Sequence, residues 1–344
     1  MTINMYKIII CLLVSVVGFA QQKVYRNLVM EGGGIKGIAY GGALIELENR
    51  GVLPQIQRVG GTSAGAIQAC LLAVGYSAAE ISQIIADTPI ETFNDGGTVF
   101  RAGERFLKKF GWYEGKSFLN TIQKLIADRT NKPNLTFAEL HELAQTVPYR
   151  DLYVTGVNLS KQKVVVFSYE TYPDMRICDA VRVSMSIPLY YQSISVNPKG
   201  KIIENPLPSD ECDVFVDGGL LMNYPIELFD QTKYLSTATD STVNEPVFNE
   251  ETLGLRLERC EQIDHETRLK TGFAPFEIQD FKGYVSALYN IMTETVCRPK
   301  PEDIVRTIYI NDYDMNPKVR KLSEEEKQKM MISGQQGVVE FFYR

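Results

Sequence analysis

Two glycine-rich turns lie in the first fifth of the chain. Each is entered from a short apolar run and left through a helical one. Leu28-Val29-Met30, within a strand expected over 26–30, leads into Glu31-Gly32-Gly33-Gly34-Ile35-Lys36-Gly37. Residues 38–50 then read as a helix, with Leu44 and Leu47 three apart and Gly51 as the stop signal. A second short strand ends near Val59, residues 60–65 turn tightly, and residues 66–74 form an apolar helix closed by Gly75. Strand–turn–helix twice over predicts an α/β fold with a largely parallel sheet.

The rest of the chain extends that pattern. Ser77-Ala-Ala-Glu80 and Thr136-Phe-Ala-Glu139 are capping boxes opening helices, the second running to about Gln145. Residues 151–157 and 164–168 read as a strand pair, and 179–184 as a helix stopping before Pro188. The Pro/Ser/Asp/Lys-rich stretch 197–213 reads as a surface insertion. Strands are expected at 214–216, 252–257 and 305–310, and Ser323-Glu-Glu-Glu326 caps a last helix reaching Phe341. No repeat or linker divides the chain. One catalytic domain over 21–344 is expected, with its motifs in 28–230 and further strands and a helix in 231–344.

The chain has 344 residues, with 36 Lys+Arg against 42 Asp+Glu, a net charge of −6. That balance argues against nucleic-acid binding by phosphate neutralisation. Only two histidines are present, His141 and His265, which leaves little room for His-based metal or acid–base chemistry. At the N-terminus, Lys7, an apolar run over 8–17 and Gly18-Phe19-Ala20 have the layout of a signal peptide cleaved after Ala20. The run is shorter than the roughly 20 residues of a spanning helix. Export to the periplasm or medium, with membrane association as a variant, is therefore expected. Cleavage would leave Cys70, Cys178, Cys212, Cys260 and Cys297, with no C-x-x-C pair. Cys70 reads as a small core residue.

Three constellations can carry chemistry. Gly61-Thr62-Ser63-Ala64-Gly65 is G-x-S-x-G between a strand and a helix, the setting of a serine nucleophile on a sharp turn. The plain alternative is a glycine turn with Ser63 as an N-cap. The loop over Gly32, Gly33, Gly34, Ile35, Lys36 and Gly37 can aim backbone N–H groups at an anion, such as the oxyanion of acyl transfer. Gly32, Gly34 and Gly37 also satisfy the dinucleotide fingerprint G-x-G-x-x-G. That reading needs an acid at the end of the second strand, where Val59-Gly60-Gly61 stands. A non-enzymatic nucleotide- or anion-binding module is thus the minor alternative. Asp217-Gly218-Gly219 ends a short apolar strand, so its carboxylate can enter a crevice; an ordinary Asp-Gly turn is the common alternative.

A serine nucleophile needs a base. Ser63, Asp217 and His265 follow the Ser–Asp–His order of α/β-hydrolase esterases. However, His265 sits in a charged stretch, 257–268, that reads as solvated. The other option is Asp217 itself, its proton affinity raised by desolvation.

These blocks, in this order, resemble the patatin-like phospholipase family. Gly32–Gly37 is similar to its oxyanion loop and Gly61–Gly65 to its nucleophile elbow. Ala180-Val-Arg-Val-Ser184-Met-Ser186-Ile-Pro188 is similar to its Ala-Ser-x-Ser-x-Pro block, with Val183 in place of the usual Ala. Asp217-Gly218-Gly219, followed by Asn223-Tyr-Pro225, resembles its Asp-Gly-Gly/Ala block. The resemblance spans about 28 to 342. It implies a three-layer α/β/α fold with a mostly parallel sheet and a Ser63–Asp217 dyad without histidine. It also implies hydrolysis of acyl esters of phospholipids, lysolipids or simple esters, without metal or other cofactor.

One stretch bears on access to lipid. Residues 101–113 mix basic and aromatic side chains (Arg101, Arg105, Lys108, Lys109, Phe106, Phe110, Trp112, Tyr113). An interfacial helix giving peripheral membrane contact is one reading. The commoner outcome for such residues is aromatics packed in the core and charges in water.

Overall fold

Four wholly buried residues, Asn27–Met30, form β1 at the centre of the sheet. The computed structural model describes residues 23–238, 244–270 and 272–343, except 282, 285, 286, 289, 290 and 292–297. The expected signal segment and Cys297 lie outside the described residues. β1 pairs in parallel with β2 (Arg58–Gly61) on one side. On the other side lies the late strand β9 (Thr252–Glu258). Outside β9 runs β10 (Thr307–Asn311), also parallel. Beyond β2 lies β4 (Asp151–Asn158), the last of five parallel strands. The sheet then reverses. β5 (Lys163–Phe167) and β8 (Asp213–Asp217) both pair antiparallel with β4, and β7 (Ile194–Val196) closes the edge beside β8. A separate pair joins β3 (Gly111–Tyr113) to β6 (Leu189–Tyr191).

β1 sends Leu28 and Met30 to one face and Val29 to the other. On the first face lie α1 (Ala39–Asn49), α2 (Ala64–Ala73) and α3 (Ala78–Asp87). α5 (Lys116–Thr130), α7 (Ile177–Ser184) and α9 (Glu324–Tyr343) complete this layer. The opposite face is thinner. Tyr153, Phe229, Tyr234 and Tyr224 pack around Val29, largely from the 3-10 turns Ile226–Phe229 and Thr232–Tyr234. α6 (Phe137–Ala144) adds Phe137 and Leu140 to the first core, while α4 (Val99–Lys109) and α8 (Cys260–Thr267) lie outside these blocks.

Both early capping boxes form, on Ser77/Glu80 and Thr136/Glu139, because each needs only residues three apart. Cys70 and Cys178 are buried, and burial pushes the Cys178 thiol up to about 12. Three expectations are corrected. The strand expected from Val305 starts at Thr307, since Pro301–Arg306 is a 3-10 turn with proline in its first turn. The 257–268 stretch is solvated only in part: Glu261 and Arg268 are exposed, whereas Glu258 and Glu266 are buried against Arg256, and Arg259 and Gln262 are buried too. Phe106, Phe110 and Trp112 are exposed rather than packed in the core.

Candidate active site

Ser63 sits where β2 turns into α2, at φ 51° and ψ −118°. Positive φ is uncommon for a side-chain-bearing residue and persists only where surroundings fix it. They do so here. The Thr62 N–H donates to Met30 O at 3.2 Å, and the Thr62 hydroxyl donates to Met222 O at 2.8 Å. The Ser63 N–H donates to Ser184 Oγ at 2.8 Å. The flanking glycines have no space for a side chain. A Cβ on Gly61 would stand 2.5 Å from the Gly65 carbonyl carbon, and one on Gly65 would stand 2.2 Å from Met30 O. The Ser63 side chain makes no capping bond to α2. Its hydroxyl instead acts on the Asp217 carboxyl, which it pulls down.

Asp217 is the last residue of β8 and is buried. Its Oδ1 accepts from the Gly219 N–H at 2.7 Å, and its own N–H donates to Ser186 O at 2.9 Å. Burial pushes the carboxyl up to about 7, while the Gly219 N–H and the Ser63 hydroxyl pull it down. No histidine is among the groups acting on it. His141 is 2.7 Å from Asp151 and stacks on Tyr169 at 3.7 Å. His265 belongs to α8, which follows β9 on the far side of β1 from β8.

Ser184 and Ser186 thus brace the two residues from one short block. Arg182 stands behind them, buried, donating to Ser186 Oγ at 2.7 Å and to Glu114 O at 2.6 Å. Burial lowers its guanidinium to about 10.

The glycine loop runs beside Ser63: a Cβ on Gly32 would lie 3.3 Å from Ser63 Cβ and 2.4 Å from Asn223 Oδ1. Several of its N–H groups are already used. Gly32 donates to Asn223 O at 3.0 Å, Ile35 to Pro317 O at 3.4 Å and Lys36 to Gly33 O at 3.1 Å. Gly37 lies within the 3-10 turn Gly34–Ile38. The N–H groups of Gly33 and Gly34 have no acceptor among the described residues. They head that turn, where backbone donors favour an anion. The Lys36 ammonium pairs with Asp312.

Asn223, Glu31 and Arg256 are positioning residues that sequence reasoning missed. Asn223 Nδ2 donates to Gly32 O at 3.0 Å, tying the glycine loop to the Asp217 turn. Glu31, which opens the loop, accepts from the Leu257 N–H at 2.8 Å and lies 3.4 Å from Arg256. Arg256 also reaches Glu258 at 3.2 Å and Glu266 at 3.1 Å. The only signal for Asn223 was the Asn-Tyr-Pro that follows Asp217. Arg256 had none, because its partners are remote in sequence.

Ser63, Gly34, Ile35 and Ala64 border a cavity of about 410 Å³. Its walls are mainly apolar, with Ile38, Ile67, Leu71, Ile84, Phe118 and Ile122 among them. A second cleft of about 430 Å³, between α1 and α9 beside Ile45 and Met331, holds neither Ser63 nor Asp217.

Residues 28–230 match the family model described as patatin-like phospholipase. The chain belongs to the patatin-like phospholipase family. It is 32% identical over 206 residues to the uncharacterised protein R571 of Acanthamoeba polyphaga mimivirus, covering 60% of this chain and 61% of that one. It is 26% identical over 207 residues to the probable lipid hydrolase 463L of Invertebrate iridescent virus 6, covering 60% and 63%. These matches span only about three fifths of those relatives. Among solved structures, VipD from Legionella pneumophila superposes with a TM-score of 0.56 at 18% identity, over 93% of this chain and 67% of VipD. That likeness shows the shared α/β fold with a mostly parallel central sheet.

Proposed function

We propose that this chain hydrolyses acyl esters of lipids, with Ser63 as nucleophile and Asp217 as the base. The observation that carries the reading is Ser63, presented on a positive-φ turn, with its hydroxyl acting on the buried carboxyl of Asp217. Family membership and the name of the iridescent-virus relative support the substrate class. The apolar cavity beside Ser63 is of a size that takes one acyl chain, within the roughly 300–1,000 Å³ usual for ligand pockets.

Ser63 Oγ attacks the ester carbonyl carbon while its proton passes to Asp217. The carbonyl electrons move onto oxygen, and the Gly33 and Gly34 N–H groups hold that oxyanion. Collapse expels the alcohol, which takes the proton back from Asp217. Water then attacks the acyl-serine, giving its proton to Asp217. The fatty acid leaves, and Ser63 recovers its proton. A carboxyl near neutrality is suited to both directions of transfer.

The test is hydrolysis of p-nitrophenyl esters by Ser63→Ala, Asp217→Asn and His265→Ala. The dyad requires the first two to be inactive and the third to retain wild-type turnover. Loss of turnover in a folded His265→Ala variant would favour a triad instead. An inactive wild type that binds nucleotides would favour the anion-binding module.

A further inference from the structure

α4 is amphipathic, yet its apolar face points into solvent. Phe100, Leu107 and Val99 are 84%, 78% and 77% exposed. The 99/106 and 100/107 pairs are seven apart, so these four side chains form one stripe. Inward, the helix buries only Ala102 and Arg105. Arg105 holds it down by polar bonds, to the carbonyls of Trp112 and Gly96 and to Glu114 at 3.0 Å. The usual reason for an amphipathic helix, burial of its apolar stripe, is therefore missing within this chain.

Two neighbours extend the stripe at the cost of backbone comfort. Phe110 (φ 59°) and Leu189 (φ 66°) are 55% and 60% exposed, both in the left-handed region. Strained, solvent-facing apolar residues mark a surface that something else covers. The charge beside the stripe indicates what. In a chain of net charge −6, residues 99–112 put Arg101, Lys108 and Lys109 at the surface against Glu104, which pairs with Lys108, while Arg105 is turned inward. An apolar stripe flanked by cations complements an anionic lipid surface. The location agrees. β3 follows α4 directly, and its Gly111 and Tyr113 pair with Leu189 and Tyr191 of β6. Tyr191 itself lines the Ser63 cavity.

We propose that α4, with Phe110 and Leu189, is the face by which this protein docks on an anionic membrane, bringing the Ser63 cavity to its substrate. This rests on the lipid-hydrolase reading for its purpose, although not for the binding itself. The probe is flotation with phosphatidylcholine vesicles, with and without phosphatidylglycerol, comparing wild type with a Phe100→Glu, Leu107→Glu double variant. Wild type is expected to float with the anionic vesicles and not with the neutral ones. The variant should lose roughly tenfold or more of that partitioning. Hydrolysis of the soluble p-nitrophenyl butyrate should be unchanged, which also reports its folding. A variant that floats like wild type would overturn the proposal. So would a wild type that ignores anionic vesicles or binds neutral ones equally. Sedimentation showing a wild-type dimer that the variant breaks would overturn it too, making the face a self-interface. A wild type that floats as expected but cleaves no ester would refute the hydrolase reading and leave the docking face standing, with thermal melting then reporting the variant's fold.

Discussion

Ser63 and Asp217 approach β4 from opposite directions, each at the end of a strand paired with it. Gly61 of β2 pairs with Val154 in parallel, while Asp217 of β8 pairs with Gly156 antiparallel. One residue past Gly61, the Thr62 and Thr155 hydroxyls meet at 2.6 Å, and Ser63 follows. One central strand therefore carries both the strand that leads into Ser63 and the strand that ends in Asp217. The α7 block secures the two residues, holding the Ser63 N–H through Ser184 and accepting the Asp217 N–H through Ser186 O.

The pH dependence follows from the Asp217 carboxyl at about 7. Only its ionised form accepts the Ser63 proton, so kcat/KM for a soluble ester is expected to rise with pH and level off above about pH 7–8. A flat profile between about pH 5 and 8, with the base unchanged, would refute this role.

The same shift has a consequence for stability. Unfolded, the carboxyl titrates near its ordinary value of 3.8; folded, burial holds it at about 7. Between those values the folded state binds a proton that the unfolded state lacks, so this contribution is present at low pH and fades as pH rises through 7. A carboxamide at this position would not titrate. Asp217→Asn should therefore melt a few degrees above wild type at about pH 8, with a smaller difference at about pH 5, while being inactive. Differential scanning calorimetry at the two pH values measures it, and a pH-independent difference would contradict the shift.

The glycine loop gives a kinetic prediction. Gly34 has φ +56°, and a Cβ there would lie 2.4 Å from Pro317 O. Gly34→Ala should move the loop's N–H groups off the oxyanion and lower kcat about a hundredfold, with KM changed less than about threefold. Steady-state kinetics on a folded variant decides it; a matched rise in KM alone would mean that the loop binds substrate rather than the transition state.

What could be read from the sequence was what depends on near neighbours. Both capping boxes, the two turns and the G-x-S-x-G setting of Ser63 are written within a few residues. The direction of β8 was not, because a strand's pairing partner and sense depend on its long connection. Nor was the outward stripe of α4: periodicity gives amphipathicity but not which face meets the core. The 257–268 charges misled for a related reason. Solvation is the usual fate of charge, and their compensation by Arg256 is tertiary.

That compensation predicts a fragile point. Arg256 is fully buried among Glu31, Glu258 and Glu266 and lies over the Tyr224 ring at 5.5 Å. Arg256→Met would leave three buried carboxylates without their cation. The expected loss is about 3–5 kcal/mol, read as a lower urea midpoint. A loss under about 1 kcal/mol would mean that water or rearrangement replaces the guanidinium.

The cavity predicts acyl-chain selectivity. Ile84, half-buried on α3, lines the cavity together with Ile67 and Leu71. Ile84→Trp fills that space from a position that tolerates bulk better than the fully buried Leu71. An acyl chain lying in the cavity must then be short. The ratio of kcat/KM for p-nitrophenyl palmitate over butyrate is expected to fall about tenfold or more, which corresponds to roughly 1.4 kcal/mol of lost transition-state binding. Butyrate turnover should stay within about twofold, since the catalytic groups are untouched. An unchanged ratio in an active variant would mean that the chain leaves Ser63 by another route.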